Sequence, residues 1–320
     1  MKIIRSVKGL SLNYNTAVTI GNFDGVHIAH QKIITKLTRV ARLNKLKSLV
    51  ITFEPYPQEF FLKSEDFKIS SFKEKYKLLE NLDVDYLLVL KFNQNFSKIK
   101  AHDFVKDILV NKLKTKYILI GDDFKFGYLR QGNFNLLKAQ ENKYGFKVAD
   151  FQRVSFNLED ENIRISSTNI RELLKSGHLK LGSKLLGRNF GVLGKVIKGQ
   201  GLGRKIGFPT ANIFIKDKKL IQLSGIFAVK VKINDNVVFG AASWGVRPTV
   251  NSEDNKSVLE VFLFDYSKDI YGKEIYVEFV DKIRDEKKFA DLEELKLNIE
   301  DDVKKAKAIL RLEDKTKEAI

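Results

Sequence analysis

The chain has 320 residues, which is long for one hydrophobic core and comfortable for two. It has no cysteine and four scattered histidines, which excludes disulfides, thiolate metal centres and cysteine nucleophiles and argues against structural zinc. No apolar run approaches membrane-spanning or signal-peptide length, so a cytoplasmic enzyme is expected, and the net charge of +17, carried mostly by dispersed lysines, suits anionic nucleotides better than nucleic acid.

The first half alternates short β runs with helical patterns. Strands are expected at Ala17–Ile20, Ser48–Phe53, Asp85–Leu90, Tyr117–Ile120 and Phe146–Phe151. Helices are expected at His30–Leu43, Ala101–Leu113, Phe134–Tyr144 and Thr168–Ser176. Repeated strand–helix–strand units imply a parallel sheet with right-handed crossovers, whose ligands sit at the carboxyl ends of the strands. After about residue 185 the pattern changes. Gly191–Lys198, Ile226–Ile233, Val237–Ser243, Val258–Phe264 and Glu274–Val280 read as strands, followed by a helix at Leu292–Leu310. Such β runs with glycine turns suggest a small antiparallel barrel. Ser176-Gly177-His178 and Gly182-Ser183 mark the expected junction, and the tail Glu313–Ile320 is expected to fray.

The first expected strand runs into Gly21-Asn22-Phe23-Asp24-Gly25-Val26-His27-Ile28-Ala29-His30. Glycines at a strand-to-helix turn permit positive φ and close approach of backbone to phosphate. His27 and His30, three apart at a helix start, can share one face and hold phosphates as charge develops. Taken alone, the same residues also fit an ordinary structural turn.

Three further stretches join this one in order. They are Thr52-Phe53-Glu54-Pro55-Tyr56-Pro57-Gln58-Glu59-Phe60-Phe61, Gly121-Asp122-Asp123-Phe124-Lys125-Phe126-Gly127, and Arg164-Ile165-Ser166-Ser167-Thr168 with Arg171. Together the four resemble the His-x-Gly-His, Phe-x-Pro-x-Pro, Gly-x-[Asn/Asp]-Phe-x-Phe-Gly and Ile-Ser-Ser-Thr motifs of prokaryotic FAD synthetases. The resemblance implies that ATP binds at Gly21, Asn22, Phe23, Asp24 and Gly25 and at Ser166, Ser167, Thr168 and Arg171. His27, His30 and Arg164 would then act on the phosphates. The flavin would lie against Phe53, Pro55, Pro57, Phe61, Asp123 and Phe126. The residue chemistry agrees: paired prolines stiffen a loop, hydroxyls at a helix N-terminus donate to phosphate, and arginines supply fixed charge. Helix capping, core packing and a turn carboxylate are the plain alternatives for the same side chains. Two positions depart from the family pattern. Ala29 replaces the glycine between the histidines, and Asn169 stands where arginine is common.

The second half carries Lys198-Gly199-Gln200-Gly201-Leu202-Gly203-Arg204-Lys205-Ile206-Gly207-Phe208-Pro209-Thr210-Ala211-Asn212. A glycine-rich loop with cations can fold over a polyphosphate. Its spacing is neither a Walker loop nor a dinucleotide fingerprint. The segment resembles the Gly-Arg-x-x-Gly-Phe-Pro-Thr-Ala-Asn motif of bacterial riboflavin kinases. It is joined by Leu186-Gly187-Arg188, Ser243-Trp244-Gly245-Val246-Arg247-Pro248-Thr249, Leu259-Glu260-Val261-Phe262-Leu263-Phe264-Asp265, Tyr271-Gly272 and Arg284-Asp285-Glu286-Lys287-Lys288-Phe289. Phe262 stands where that family often has histidine. The resemblance implies that Gly199, Gly201, Gly203, Arg204 and Gly207 wrap ATP, that Glu260 is the base for the riboflavin hydroxyl, and that Arg284 and Glu286 seat the flavin. Thr210 and Asn212 offer hard oxygen ligands for Mg²⁺, and their alternation on an extended segment places both on one face.

The whole chain thus resembles the bifunctional riboflavin kinase/FAD synthetase family. That resemblance implies an α/β, Rossmann-like nucleotidyltransferase domain over residues 1–184. A small antiparallel β-barrel kinase domain with a C-terminal helix would follow over 185–320. The reactants would be riboflavin, FMN, FAD, ATP, ADP and pyrophosphate, with Mg²⁺ and no tightly bound prosthetic group, nucleic acid or membrane. A kinase whose first domain is impaired by Ala29, and a basic nucleic-acid-binding protein, remain as alternative readings.

Overall fold

The computed structural model describes the whole chain except residues 63–66, 159–160, 200, 218–219, 222, 247–256 and 319–320. Of the motif residues above, Gln200 and Arg247-Pro248-Thr249 lie outside the described residues. The residues gather into two compact units, Met1–Ser64 with Phe72–Ser167, and Glu65–Ser71 with Thr168–Ile320.

The first unit contains strands β1 (Lys2–Ile4), β2 (Thr16–Ile20), β3 (Lys47–Glu54), β4 (Tyr86–Lys91), β5 (Thr115–Gly121) and β6 (Lys147–Phe151). They form one sheet in the order β1-β4-β3-β2-β5-β6, parallel throughout. β2 is buried along its whole length, as a strand covered on both faces requires. Its side chains divide by the period of two. Val18 and Ile20 enter one core layer and Ala17 the other. Helix α1 (Ile28–Leu43) covers the second layer with Ile33, Ile34, Leu37 and Ala41, one apolar stripe at helical spacing. Helices α2 (Pro57–Leu62), α3 (Phe72–Glu80) and α4 (Gln94–Ser97) follow β3 and β4.

The expected helix over 101–113 begins as α5 (Ala101–Asp103) and opens into a π-helical stretch at Phe104–Lys112. There Leu113 N–H reaches back to the Ile108 carbonyl, and Val105, Ile108 and Leu109 stay on the core. The expected helix over 134–144 is two pieces, α6 (Phe134–Ala139) and α7 (Glu141–Tyr144). They break at Gln140, a buried residue whose amide is hydrogen-bonded to the His102 ring at 2.7 Å. A hairpin of β7 (Ser155–Leu158) and β8 (Glu161–Arg164) closes the unit.

Helix α8 (Ser167–Lys175) is followed by α9 (Leu179–Leu186). Gly182 and Ser183, which mark the expected junction, are buried inside α9. The second unit is built on β9 (Phe190–Ile197), β10 (Thr210–Phe214), β11 (Gly225–Ile233), β12 (Asn236–Val246), β13 (Ser257–Leu263) and β14 (Glu274–Arg284), with a short helix α10 (Leu202–Lys205) between β9 and β10. The strands close into an antiparallel barrel in the order β10-β13-β12-β11-β14-β9. Its interior is aromatic: Phe279 stacks on Phe190 and Trp244 and meets Phe227 edge-on. The C-terminal helix α11 (Leu292–Glu318) lays Ala306 and Leu310 onto Ala228, Phe264 and Val280 outside the barrel. The helix continues to Glu318, so Glu313–Glu318 do not fray as expected; the segment is rich in good helix formers.

Candidate functional site

In the first sheet β2 pairs with β3 on one side and with β5 on the other. The order of strands reverses between β2 and β5, and α/β sheets bind ligands outside the strand ends at such a switch point. A cleft of about 290 Å³ lies there. Its walls are the segment after β2 (Gly21, Phe23, His27, Ala29, His30), the segment after β5 (Gly121, Asp122, Asp123, Phe124), the turn after β6 (Gln152, Arg153) and the run Arg164 to Ser167. Three motifs spread along the chain from Gly21 to Ser167 therefore meet in one hollow.

His27 is the N-cap of α1, and its Nδ1 accepts from the His30 N–H at 3.3 Å. That bond leaves Nε2 to carry the proton of a neutral ring. The two imidazoles stack with centroids 3.5 Å apart. His30 Nδ1 is buried without a hydrogen-bond partner. Burial, the adjacent His27 and the Lys75 ammonium hold the His30 pKa well below its ordinary value. Ser167 Oγ donates to the Asp24 carbonyl at 3.0 Å, which ties the start of α8 to the loop. At the rim Arg153 pairs with Asp122 at 2.7 Å, and Arg164 pairs with Asp123. Four charges of both signs thus border the cleft.

Phe53, Phe61 and Phe126 belong to a string of rings. Phe53 and Phe61 both touch Phe92, which touches Phe96. Phe96 meets Phe104, and Phe104 meets Phe126. Phe61 is 65% exposed, whereas Phe126 is buried in the core. Pro57 starts α2, where its missing N–H costs nothing. Thr168 is exposed, and the Arg171 guanidinium lies over the Phe67 ring at 4.1 Å.

In the barrel, Thr210 and Asn212 alternate on β10 and pair with Phe262 and Glu260 of β13. Ser243 of β12 faces Glu260 from the other side. The Thr210 hydroxyl donates to Glu260 Oε2 at 3.1 Å. Gly199 packs against the Asn212 amide so closely that a Cβ there would collide with it. Gly245 likewise leaves room for the Glu286 carboxylate. Burial raises the Glu286 pKa, opposed by the Arg284 cation. Arg284 itself donates two bonds to Asp302 of α11, Nε to Oδ1 at 2.8 Å and a terminal nitrogen to Oδ2 at 2.6 Å. Gly201 opens α10 with φ 72°, and Gly203, Arg204 and Gly207 lie within or just after it.

Several side chains in these places were not anticipated from sequence. Asp122 lies inside a quoted motif, but Arg153 and Gln152 do not. Phe92 and Phe96 lie between motifs. Lys75 lies on α3, buried beneath the loop after β2. Asp302 becomes visible only through helix packing, and the pairing of Ser243 with Glu260 only through strand register.

A model of the FAD synthetase family matches residues 10–169, and a model of the riboflavin kinase family matches residues 186–310. The chain is 42% identical over 306 residues to the bifunctional riboflavin kinase/FMN adenylyltransferase of Buchnera aphidicola from Acyrthosiphon pisum, covering 95% of this chain and 96% of that protein. It is 43% identical to the protein of the same name from Haemophilus influenzae, covering 96% and 99%. For that of Escherichia coli K12 the identity is 38%, covering 93% and 95%. A crystal structure described as a macrolide-efflux protein from Streptococcus pneumoniae superimposes with a TM-score of 0.84 at 29% identity, over 94% of this chain and 97% of that one. Among the described residues of this chain, no helix is long and apolar enough to cross a membrane.

Fold and site define a flavin-nucleotide transferase with one α/β module and one barrel module. The chain belongs to the bifunctional riboflavin kinase/FMN adenylyltransferase family. It phosphorylates riboflavin to FMN with ATP and adenylylates FMN to FAD with release of pyrophosphate. Neither the kinase-only reading, with an impaired first domain, nor the nucleic-acid reading is favoured.

Proposed function

We propose that the two reactions use two separate sites, with a functional boundary near residues 184/185. The cleft beside β2 and β5 transfers the adenylyl group. The Thr210–Glu260–Asn212 cluster transfers the phosphoryl group. The observation that carries this reading is the convergence of motif residues from distant segments onto each place separately.

In the cleft, an oxygen of the FMN phosphate attacks the α-phosphorus of ATP, and the bond to pyrophosphate breaks. No proton need leave the nucleophile, so the enzyme's task is orientation and charge neutralisation. His27 through Nε2–H, His30, the Ser166 and Thr168 hydroxyls and the Ser167 backbone N–H donate to phosphate oxygens. Arg164 and Arg171 supply fixed positive charge. The exposed aromatic end of the Phe53–Phe61 segment supports the flavin.

In the barrel, Glu260 accepts the proton of the riboflavin 5′-hydroxyl as its oxygen attacks the γ-phosphorus and ADP departs. Thr210 orients Glu260 through their hydrogen bond. The loop of Gly199, Gly201, Gly203, Arg204 and Gly207 covers the phosphates, and Arg284 and Glu286 border the flavin. The donor set fits Mg²⁺: Thr210 and Asn212 offer neutral hard oxygens on one face, and the close approach of Gly199 holds the Asn212 amide in place. Bound there with ATP, the ion would shield phosphate charge and act as a template.

On this reading the chain is cytoplasmic, with no nucleic acid or membrane as partner; the small-molecule reactants and the dispersed lysines support it. Incubation with riboflavin, ATP and Mg²⁺, followed by chromatography, should give FMN first and FAD after it. Accumulation of FMN with no FAD would restrict the reading to the kinase.

A further inference from the structure

The loop between β2 and α1 has a costly backbone. Phe23, Gly25 and Val26 take φ of 48°, 74° and 40°. For phenylalanine and β-branched valine this left-handed region is disfavoured. Such conformations persist only where their surroundings over-determine them. Here Phe23 and Val26 are buried in the core. In addition, alternate carbonyls of the loop are held by side chains from different elements. The Asn22 carbonyl accepts from Thr52 Oγ1 at 3.1 Å and from Lys75 Nζ at 3.2 Å. The Asp24 carbonyl accepts from Ser167, and the Val26 carbonyl from Gln31 Nε2 at 2.9 Å.

Lys75 stands apart in this set. It lies outside every motif stretch, and its residue is 0% exposed. Its ammonium also donates to Thr52 Oγ1 at 3.1 Å and to the Tyr56 hydroxyl at 3.2 Å. The Tyr56 hydroxyl in turn donates to Asp24 Oδ1 at 3.4 Å. One buried cation therefore ties the end of β3, the proline-containing segment and the nucleotide loop together. Burying a lysine costs heavily unless its donors are met, and an apolar side chain of similar volume is often at least as stable. Stability alone therefore gives little reason for a lysine here.

We propose that Lys75 is a positioning residue for adenylyl transfer. Its grip on Asn22, Thr52 and Tyr56 holds the strained loop in the shape that presents His27 and the loop backbone to the phosphates of ATP. The proposal rests on the adenylylating role of the cleft, which loss of FAD formation in a His30→Ala variant tests separately.

The experiment uses the full chain. Lys75→Met keeps length and shape and removes the charge and its donors. The expected result is a fall of about 30- to 100-fold in kcat/KM for ATP in FMN adenylylation, the scale of a small misplacement of a catalytic loop. The KM for FMN, riboflavin phosphorylation and thermal unfolding should stay at parent values. Should that variant not fold, Tyr56→Phe keeps Lys75 and deletes one oxygen of the network. It should show the same pattern with a loss of about three- to tenfold, one hydrogen bond's worth. Parent-like kcat/KM for ATP in a folded variant overturns the proposal. So does a parallel loss of FMN affinity, both activities and thermal stability, because a merely structural lysine would give that result.

Discussion

The Thr210 hydroxyl donates to Glu260 Oε2 at 3.1 Å across the paired strands β10 and β13. The bond fixes the direction of one carboxylate oxygen. Thr210→Val keeps the shape of the side chain and removes the hydroxyl. Riboflavin phosphorylation should fall by about 10- to 100-fold, less than the 10²–10⁴-fold typical when the base itself is lost. FMN adenylylation should be unaffected. Full kinase activity in this variant would mean that Glu260 needs no orienting hydroxyl.

His30 gives a pH signature. Its folded pKa lies below the unfolded value of about 6.5. Below that pH the unfolded chain binds a proton that the folded chain resists, so stability falls as pH drops. Above it the contribution is constant. Thermal unfolding followed from pH 7.5 to 5 should therefore fall more steeply for the parent than for His30→Asn. Equal slopes would show that His30 protonates freely in the folded chain.

Ala29 lines the cleft in the first turn of α1, at the position of the glycine in the His-x-Gly-His motif that this segment resembles. A methyl group that crowds the nucleotide would cost roughly 1–3 kcal/mol. Ala29→Gly should then raise kcat/KM for ATP in FAD formation by at least about fivefold. Thermal stability should stay level or decline, because glycine costs up to about 1 kcal/mol in a helix. An unchanged or lower kcat/KM contradicts the crowding argument.

The sequence showed the alternation of strands and helices, the change to a barrel and the motifs that line both sites, because each is a local pattern. It did not show what only folding brings together. Arg284 reads as a flavin contact, yet its guanidinium is bonded to Asp302 on a helix eighteen residues away. Ser243 becomes a neighbour of Glu260 only through register. Helix α3 is short and polar, with Lys75 in a Lys-Glu-Lys-Tyr run that reads as solvent-facing. Its burial depends on acceptors supplied by β3 and by the loops after β2 and β3.

The Arg284–Asp302 pair makes a stability prediction. Asp302 is 4% exposed, and the arginine side chain is 21% exposed. Breaking a fully buried pair costs about 3–5 kcal/mol, so the partial exposure of Arg284 brings the estimate for Asp302→Asn to about 2–4 kcal/mol. After graded heating, riboflavin kinase activity should be lost at lower temperature in this variant, while FMN adenylylation is lost at the parent's temperature. Parent-like heat inactivation of the kinase would show that α11 is held by its apolar face alone.

The central claim is that two sites in one chain carry two reactions. The most direct test measures both reactions in the full-length Glu260→Ala and His30→Ala variants, with riboflavin and FMN supplied separately. The account predicts a crossover: Glu260→Ala makes no FMN from riboflavin but converts FMN to FAD, and His30→Ala makes FMN but little FAD. Loss of both reactions in either variant, or of neither, would contradict it.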